Sequence, residues 1–206
     1  MNQSEPRGKT RLNIVPEQGF VDLQSALAGQ LERIASRLHA PEFASLLDPL
    51  MRQTIERGFT EAGAHEGTIW LLDQEGQNLV PAHNTGPEAG QLLGSFKQPL
   101  NSGLICMVFA SEQPFLENEV WKNSGQSKLV DELLSQQTCA MIAVPFYFLR
   151  GCRGVVSCVQ LKRQPEEPFP SGFQPEHLLT IQRATAMLSQ LVEYRLLSDA
   201  VGWSSL

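Results

Sequence analysis

The sequence predicts an α/β fold: a central antiparallel sheet, covered on one face by long terminal helices and on the other by short helices and loops that roof a candidate pocket. Three observations predict it. Apolar residues recur every three or four positions near both ends of the chain, the mark of amphipathic helices. Two pairs of β-prone runs lie between those ends, each pair joined by a short turn. The stretch separating the two pairs mixes Gly, polar residues and brief apolar clusters, and such a cover leaves a concavity more readily than a close-packed helix does.

Residues 1–18 combine Pro, Gly and polar side chains without a period and are expected to be a disordered arm. Over 19–40 the residues Leu23, Leu27, Leu31, Ile34 and Leu38 draw one apolar stripe along a helix, which ends before Pro41 because proline disfavours helical geometry in the residue preceding it. A short apolar piece, 43–47, follows. Asp48-Pro49 reads as an N-cap with proline at the first helical position, opening a helix over 49–62 with Leu50, Met51, Ile55 and Phe59 on one side and Gly63 as its stop. Residues 68–72 and 78–83 form the first hairpin about the turn 73–76, and Pro81, which cannot donate to a ladder, makes the second strand an edge or its end.

Residues 84–97 read as loop. Short helices are expected over 102–110 and 128–136, with a brief strand over 114–116. Residues 138–148 and 154–161, rich in Val, Ile, Phe and Cys, form the second hairpin about Leu149-Arg150-Gly151. Three prolines make 162–172 a loop. Pro175 then opens the last helix, whose apolar side includes Leu178, Ile181, Met187, Leu188, Leu191, Val192 and Leu196. The domain proper is expected over 41–198, with 199–206 as a tail.

Composition limits function. Of 206 residues, 42% are hydrophobic and 18% charged, and the formal net charge is −6. That composition supports a real core, while the acid excess and the lack of any basic cluster denser than Lys162-Arg163 remove the electrostatic drive for nucleic acid. No apolar run approaches the roughly 18 residues that span a bilayer, and the polar start lacks a secretory core, so no membrane partner and a cytoplasmic location are expected. Cys106, Cys139, Cys152 and Cys158 sit among apolar neighbours, as buried thiols do in a reducing compartment. Metal-ligand spacing, a G-x-S-x-G elbow and phosphate-binding glycine loops are absent from the sequence, so no metal, cofactor or catalytic constellation is expected.

Several segments resemble GAF domains. Leu46-Leu47-Asp48, the run Gly67-Thr68-Ile69-Trp70-Leu71-Leu72-Asp73 with Gly76 and Leu79, and Pro99-Leu100-Asn101-Ser102-Gly103-Leu104-Ile105 resemble the family's first half. Glu112-Gln113-Pro114-Phe115 resembles its G-x-P strand entry. Thr138-Cys139-Ala140-Met141-Ile142-Ala143-Val144-Pro145 matches its T-x-S-to-A-V-P strand, Arg153-Gly154-Val155-Val156 the strand after it, and Phe173-Gln174-Pro175-Glu176-His177-Leu178-Leu179 the opening of its last helix. The matches span residues 46–197, nearly three quarters of the chain. The resemblance implies a PAS-related architecture and a sensory or regulatory module rather than an enzyme, with a signalling protein as a candidate partner.

Subtypes with known chemistry fit less well. The cyclic-nucleotide set N-K-F-D-E has no counterpart here, and no cysteine is followed by the His common at bilin attachment sites. The family also includes reductases of free methionine sulfoxide; Cys106 is displaced by one residue from their G-V-C-G segment, and nothing like G-H-I-x-C-D precedes Thr138. A thiol-dependent reductase and a pure dimerisation module without ligand are the alternative readings. The expected ligand contacts beneath the insert are Phe96, Cys106, Phe109, Phe115, Trp121, Cys139 and Met141. His83 is expected to be a surface histidine. The upstream stripe of Leu23, Leu27, Leu31, Ile34 and Leu38, joined by Leu188 and Leu191, is expected to form a homodimer interface, because five exposed apolar side chains would forgo about 1.5–3 kcal/mol each.

Overall fold

The computed structural model describes residues 18–36 and 38–202; the expected arm, but for its last residue, and the end of the expected tail lie outside the described residues. Helices α1 (Gln18–Ala35), α2 (Ala40–Leu46) and α3 (Pro49–Glu61) precede the first hairpin, β1 (Glu66–Leu72) and β2 (Asn78–Asn84). The insert comprises α4 (Ala89–Leu92), β3 (Gln98–Pro99), α5 (Leu104–Ser111), β4 (Phe115–Glu117), a 3-10 turn (Val120–Lys122) and α6 (Leu129–Leu134). The second hairpin, β5 (Gln137–Phe148) and β6 (Gly151–Lys162), leads to the closing helix α7 (Pro175–Ala200).

The strands form one antiparallel sheet in the order β3-β2-β1-β6-β5-β4. Chain order is abandoned at its centre because the second hairpin docks on β1, where Trp70 pairs with Val155 and Thr68 with Ser157. The turn joining β5 to β6 has two residues, Leu149 and Arg150, both left-handed at φ 51° and 64°; that conformation matches the twist of a tight hairpin even though neither residue is glycine. Pro81 is tolerated because β3 reaches only Asn78 and Leu79, leaving the rest of β2 on an open edge.

Strand alternation sends two sets of side chains to two faces. Ile69, Leu71, Ile142, Val144, Phe146 and Val156 meet Phe43, Ile55, Phe59, Ile181, Leu188 and Val192 of the helical layer. Phe43 packs at 5.7 Å from Phe146 and 5.9 Å from Phe148, and this burial turns the apolar piece around it into helix α2. The Asp48 carboxylate accepts from the Met51 N–H at 2.9 Å and caps α3, while Gly63 takes φ 68° just beyond it, as expected for its stop.

Four expectations are corrected. The helix expected over 19–40 closes at Ala35, so that Leu38 lies beyond it, and Pro41 stands in the first turn of α2 instead of ending α1. The stretch read as loop over 84–97 contains α4, and two-residue β3 follows directly after it; neither is long enough to show a period. α7 continues to Ala200, into the expected tail. Leu188, assigned to a dimer interface, is wholly buried in its own chain's core, because the same α7 face has to cover the sheet. Among the described residues no helix is long and apolar enough to cross a membrane.

Candidate functional site

Beneath the insert, Trp70, Met141, Ala143 and Val155 of the sheet pack with Leu104, Ile105, Cys106 and Val108 of α5 and with Val120. Phe96, Phe109 and Phe115 are partly buried against this cluster. Five of the expected ligand contacts, Phe96, Cys106, Phe109, Phe115 and Met141, are therefore brought together, and they touch one another and the protein's own side chains. The cluster also holds Trp70, which sequence reasoning left as an ordinary strand residue. Its indole N–H donates to Ser157 Oγ at 2.9 Å, and Phe96 meets its ring edge-on at 6.0 Å. A polar partner for a buried tryptophan depends on the β1–β6 register, which no local pattern reveals.

Trp121 and Cys139 lie elsewhere. Trp121 stacks on Phe169 at 4.7 Å and lines a cleft of about 660 Å3 where β5 begins and β6 ends. Cys139 is buried at that end of β5, within the fields of Lys162 and Asp131. Asp131 reaches the floor of the cleft from α6, its carboxylate accepting from the Thr138 N–H at 3.0 Å and the Thr138 hydroxyl at 2.6 Å. Desolvation pushes its carboxyl up, against the pull of those two donors and Lys128. Two carboxylates near Trp121 are occupied locally: Glu119 pairs with Lys122 at 2.6 Å, and Glu117 accepts from the N–H groups of Asn118 and Glu119.

The thiols are poorly placed for nucleophilic chemistry. Burial pushes Cys106 up to about 11 and Cys158 to about 12, and raises Cys139 and Cys152 as well, so the reactive thiolate is scarce near neutrality. The Cys106 thiol donates to the Pro99 carbonyl at 3.3 Å. All four cysteines are free. Among the described residues no group of three His, Cys, Asp or Glu is placed to hold a metal ion. His83, expected at the surface, is buried, with its Nε2 3.2 Å from the Glu56 carboxylate but not aligned for a hydrogen bond.

The expected dimer contacts divide. Leu23 is 65% exposed, Leu27 and Leu31 are half-buried, and Ile34, Leu38 and Leu191 pack against the chain's own core. α1 lies along α7, with the Gln30 amide donating to the Ala200 carbonyl at 3.0 Å. Much of the upstream stripe is thus covered within one chain.

No protein-family model and no curated protein matches this sequence. Solved structures do match in fold. The GAF domain of a phosphoenolpyruvate-protein phosphotransferase from Coxiella burnetii superposes with TM-score 0.58 at 14% identity, over 90% of this chain and 99% of that one. A GAF domain/HD domain protein from Geobacter sulfurreducens gives 0.57 at 14% identity, over 77% of this chain and 96% of that one. A type II free methionine-R-sulfoxide reductase from Thermoplasma acidophilum gives 0.55 at 15% identity, over 76% and 96%. With its six-stranded antiparallel sheet, helical layer and packed insert, the chain has a GAF-like fold.

Proposed function

We propose that this chain is a non-catalytic, cytoplasmic regulatory module that self-associates through its terminal helices and acts by changing how those helices pack. One observation carries the reading: an apolar seam on the outer side of α7. Met187 and Tyr194 stand seven residues apart on the helix at 56% and 67% exposure, with Leu197 beside them at 39% and Val201, just past the helix end, at 49%. Seven-residue spacing keeps such side chains on one line that a second helix can follow. A second copy presents the same seam, so the contact is self-complementary about a two-fold axis. Similar folds in a phosphotransferase and a GAF/HD protein support the regulatory reading, and four free thiols fit a reducing compartment. A small apolar ligand beneath the insert would have to part the packing around Trp70, and would signal only by binding one helix arrangement better than the other. Sedimentation equilibrium at micromolar concentration is expected to show a dimer that Met187→Glu or Tyr194→Glu dissociates; a monomeric wild type refutes the interface.

The reductase reading draws on the likeness to methionine sulfoxide reductases. The raised thiols oppose it, since attack on a sulfoxide needs an accessible thiolate. Incubation with free methionine sulfoxide and a dithiol reductant is expected to give no turnover. Turnover abolished by Cys106→Ser reinstates the enzyme.

A further inference from the structure

The outward side of α7 changes character along its length. Arg183, Met187, Gln190, Tyr194 and Leu197 are all exposed and follow one another by four, three, four and three residues, the spacing of a single helix seam. Toward the C-terminal end the seam is apolar and stands out from the helix, through Tyr194, Leu197 and, just past the last turn, Val201. Toward the N-terminal end it borders a groove of about 450 Å3 between α3 and α7. Gly58 and Ala184 lie in that groove, between Leu50 and Arg57 on one side and Arg183 and Met187 on the other. A Cβ on Gly58 would lie 2.5 Å from Ala184 Cβ, so the helices cross closely there, and the longer side chains rise around a floor that has almost none. One seam therefore carries a projecting apolar end and a recessed end.

We infer that a second copy of this chain fills the groove: the two α7 helices pack antiparallel, and each lays its Tyr194–Leu197 end in the other copy's α3–α7 groove. This arrangement rests on the self-association proposed above, and it adds the direction of the contact and the surface that completes it.

Shape and charge both select the antiparallel direction. With the two-fold axis beside Gln190, Tyr194 stands level with Met187 of the second copy, and Leu197 with Ala184 of the second copy. The exposed ring then meets a thioether, a favourable pairing, and an apolar side chain enters the recess over the groove floor. Symmetry makes each contact twice. A parallel two-fold instead sets recess beside recess and leaves both unfilled. It also stacks Arg183 on Arg183 and Gln190 on Gln190. Arg57 is paired with Glu61 at 2.7 Å, whereas Arg183 has no ion-pair partner among the described residues, so the parallel contact opposes two uncompensated cations, which disfavours it. The antiparallel contact sets each Arg183 level with an uncharged residue, Ser198.

Pulsed electron paramagnetic resonance on the full chain measures the direction. Glu176 is exposed at the start of α7, outside the groove, and a spin label is attached at Glu176→Cys, with Cys152→Ser removing the half-buried native thiol. The antiparallel dimer is expected to give a label-to-label distance of about 40–45 Å, twice the helix rise from Glu176 to the axis. A parallel dimer gives about 10–20 Å, the separation of packed helices plus the label arms. Leu50→Glu tests the groove from α3, away from the seam; at 58% exposure the position accepts a charge without unfolding the chain, and the dimer dissociation constant is expected to rise about tenfold in sedimentation equilibrium. A monomeric wild type refutes the self-association and this arrangement with it. A dimer whose labels lie at any other distance leaves the self-association standing and overturns the antiparallel contact. The long distance together with a Leu50→Glu dimer as tight as wild type overturns the seating in the groove.

Discussion

Burial of Cys158 in the helical core pushes its thiol from 9.0 up to about 12, and Cys106 beneath the insert rises to about 11. Between those values the unfolded chain has lost protons that the folded chain keeps, so unfolding is favoured as pH rises. Stability is accordingly expected to be fully present below about pH 9 and to fall as pH rises toward 11–12; Cys158→Val should flatten that decline in a series of thermal melts, and an unchanged slope would count against the thiol as its source. His83 acts on the other side of neutrality. Desolvation lowers it from 6.5, with Arg52 adding to the effect and Glu56 opposing it. The unfolded state therefore binds its proton first, and stability is present above about 6.5 and lost as pH falls below it. His83→Gln should reduce that acid slope in the same melts. The burial of Cys106, Cys139 and Cys158 was legible in their apolar neighbours, whereas the burial of His83 and the only partial burial of Cys152 were not. A polar residue near a strand end reads as exposed until the helices preceding the hairpin fold back over it.

Two close approaches control how the elements meet. A Cβ on Gly154 would lie 1.8 Å from the Trp70 carbonyl oxygen, and one on Gly58 would lie 2.5 Å from Ala184 Cβ. The first obstacle is backbone within the β1–β6 ladder, so Gly154→Ala must spread the central strand pair. It is expected to cost about 3 kcal/mol or more of unfolding free energy in urea titrations. Gly58→Ala pushes α3 from α7, a motion that two helices absorb more easily, and it regains close to 1 kcal/mol of helix propensity; a net loss of about 1–2 kcal/mol is expected. The long elements were legible because their periods repeat: the Asp48-Pro49 start of α3, both hairpins, and the Pro175 start of α7 all appear close to their expected positions. α4 and β3 were not, since four residues and two residues are too short to display periodicity.

At the scale of the whole molecule, the proposed dimer along the α7 seam would link folding to concentration. The melting temperature of the wild type should rise with protein concentration, as mass action requires for coupled association, while that of Met187→Glu should not. Leu188 and Met187 show how finely this scale divides the chain: adjacent in sequence, one is wholly buried in the core and the other is 56% exposed on the seam. The sequence alone determined the two-faced sheet, the helical layer and the covering insert, because alternation and the 3.6-residue period are local properties that strands and helices express wherever they pack. Only the tertiary structure decided that five of the seven expected ligand contacts beneath the insert pack in one cluster with Trp70, and that most of the upstream stripe is covered by its own chain. Those outcomes depend on contacts between distant segments, and burial at a given position is set by which distant surface arrives there.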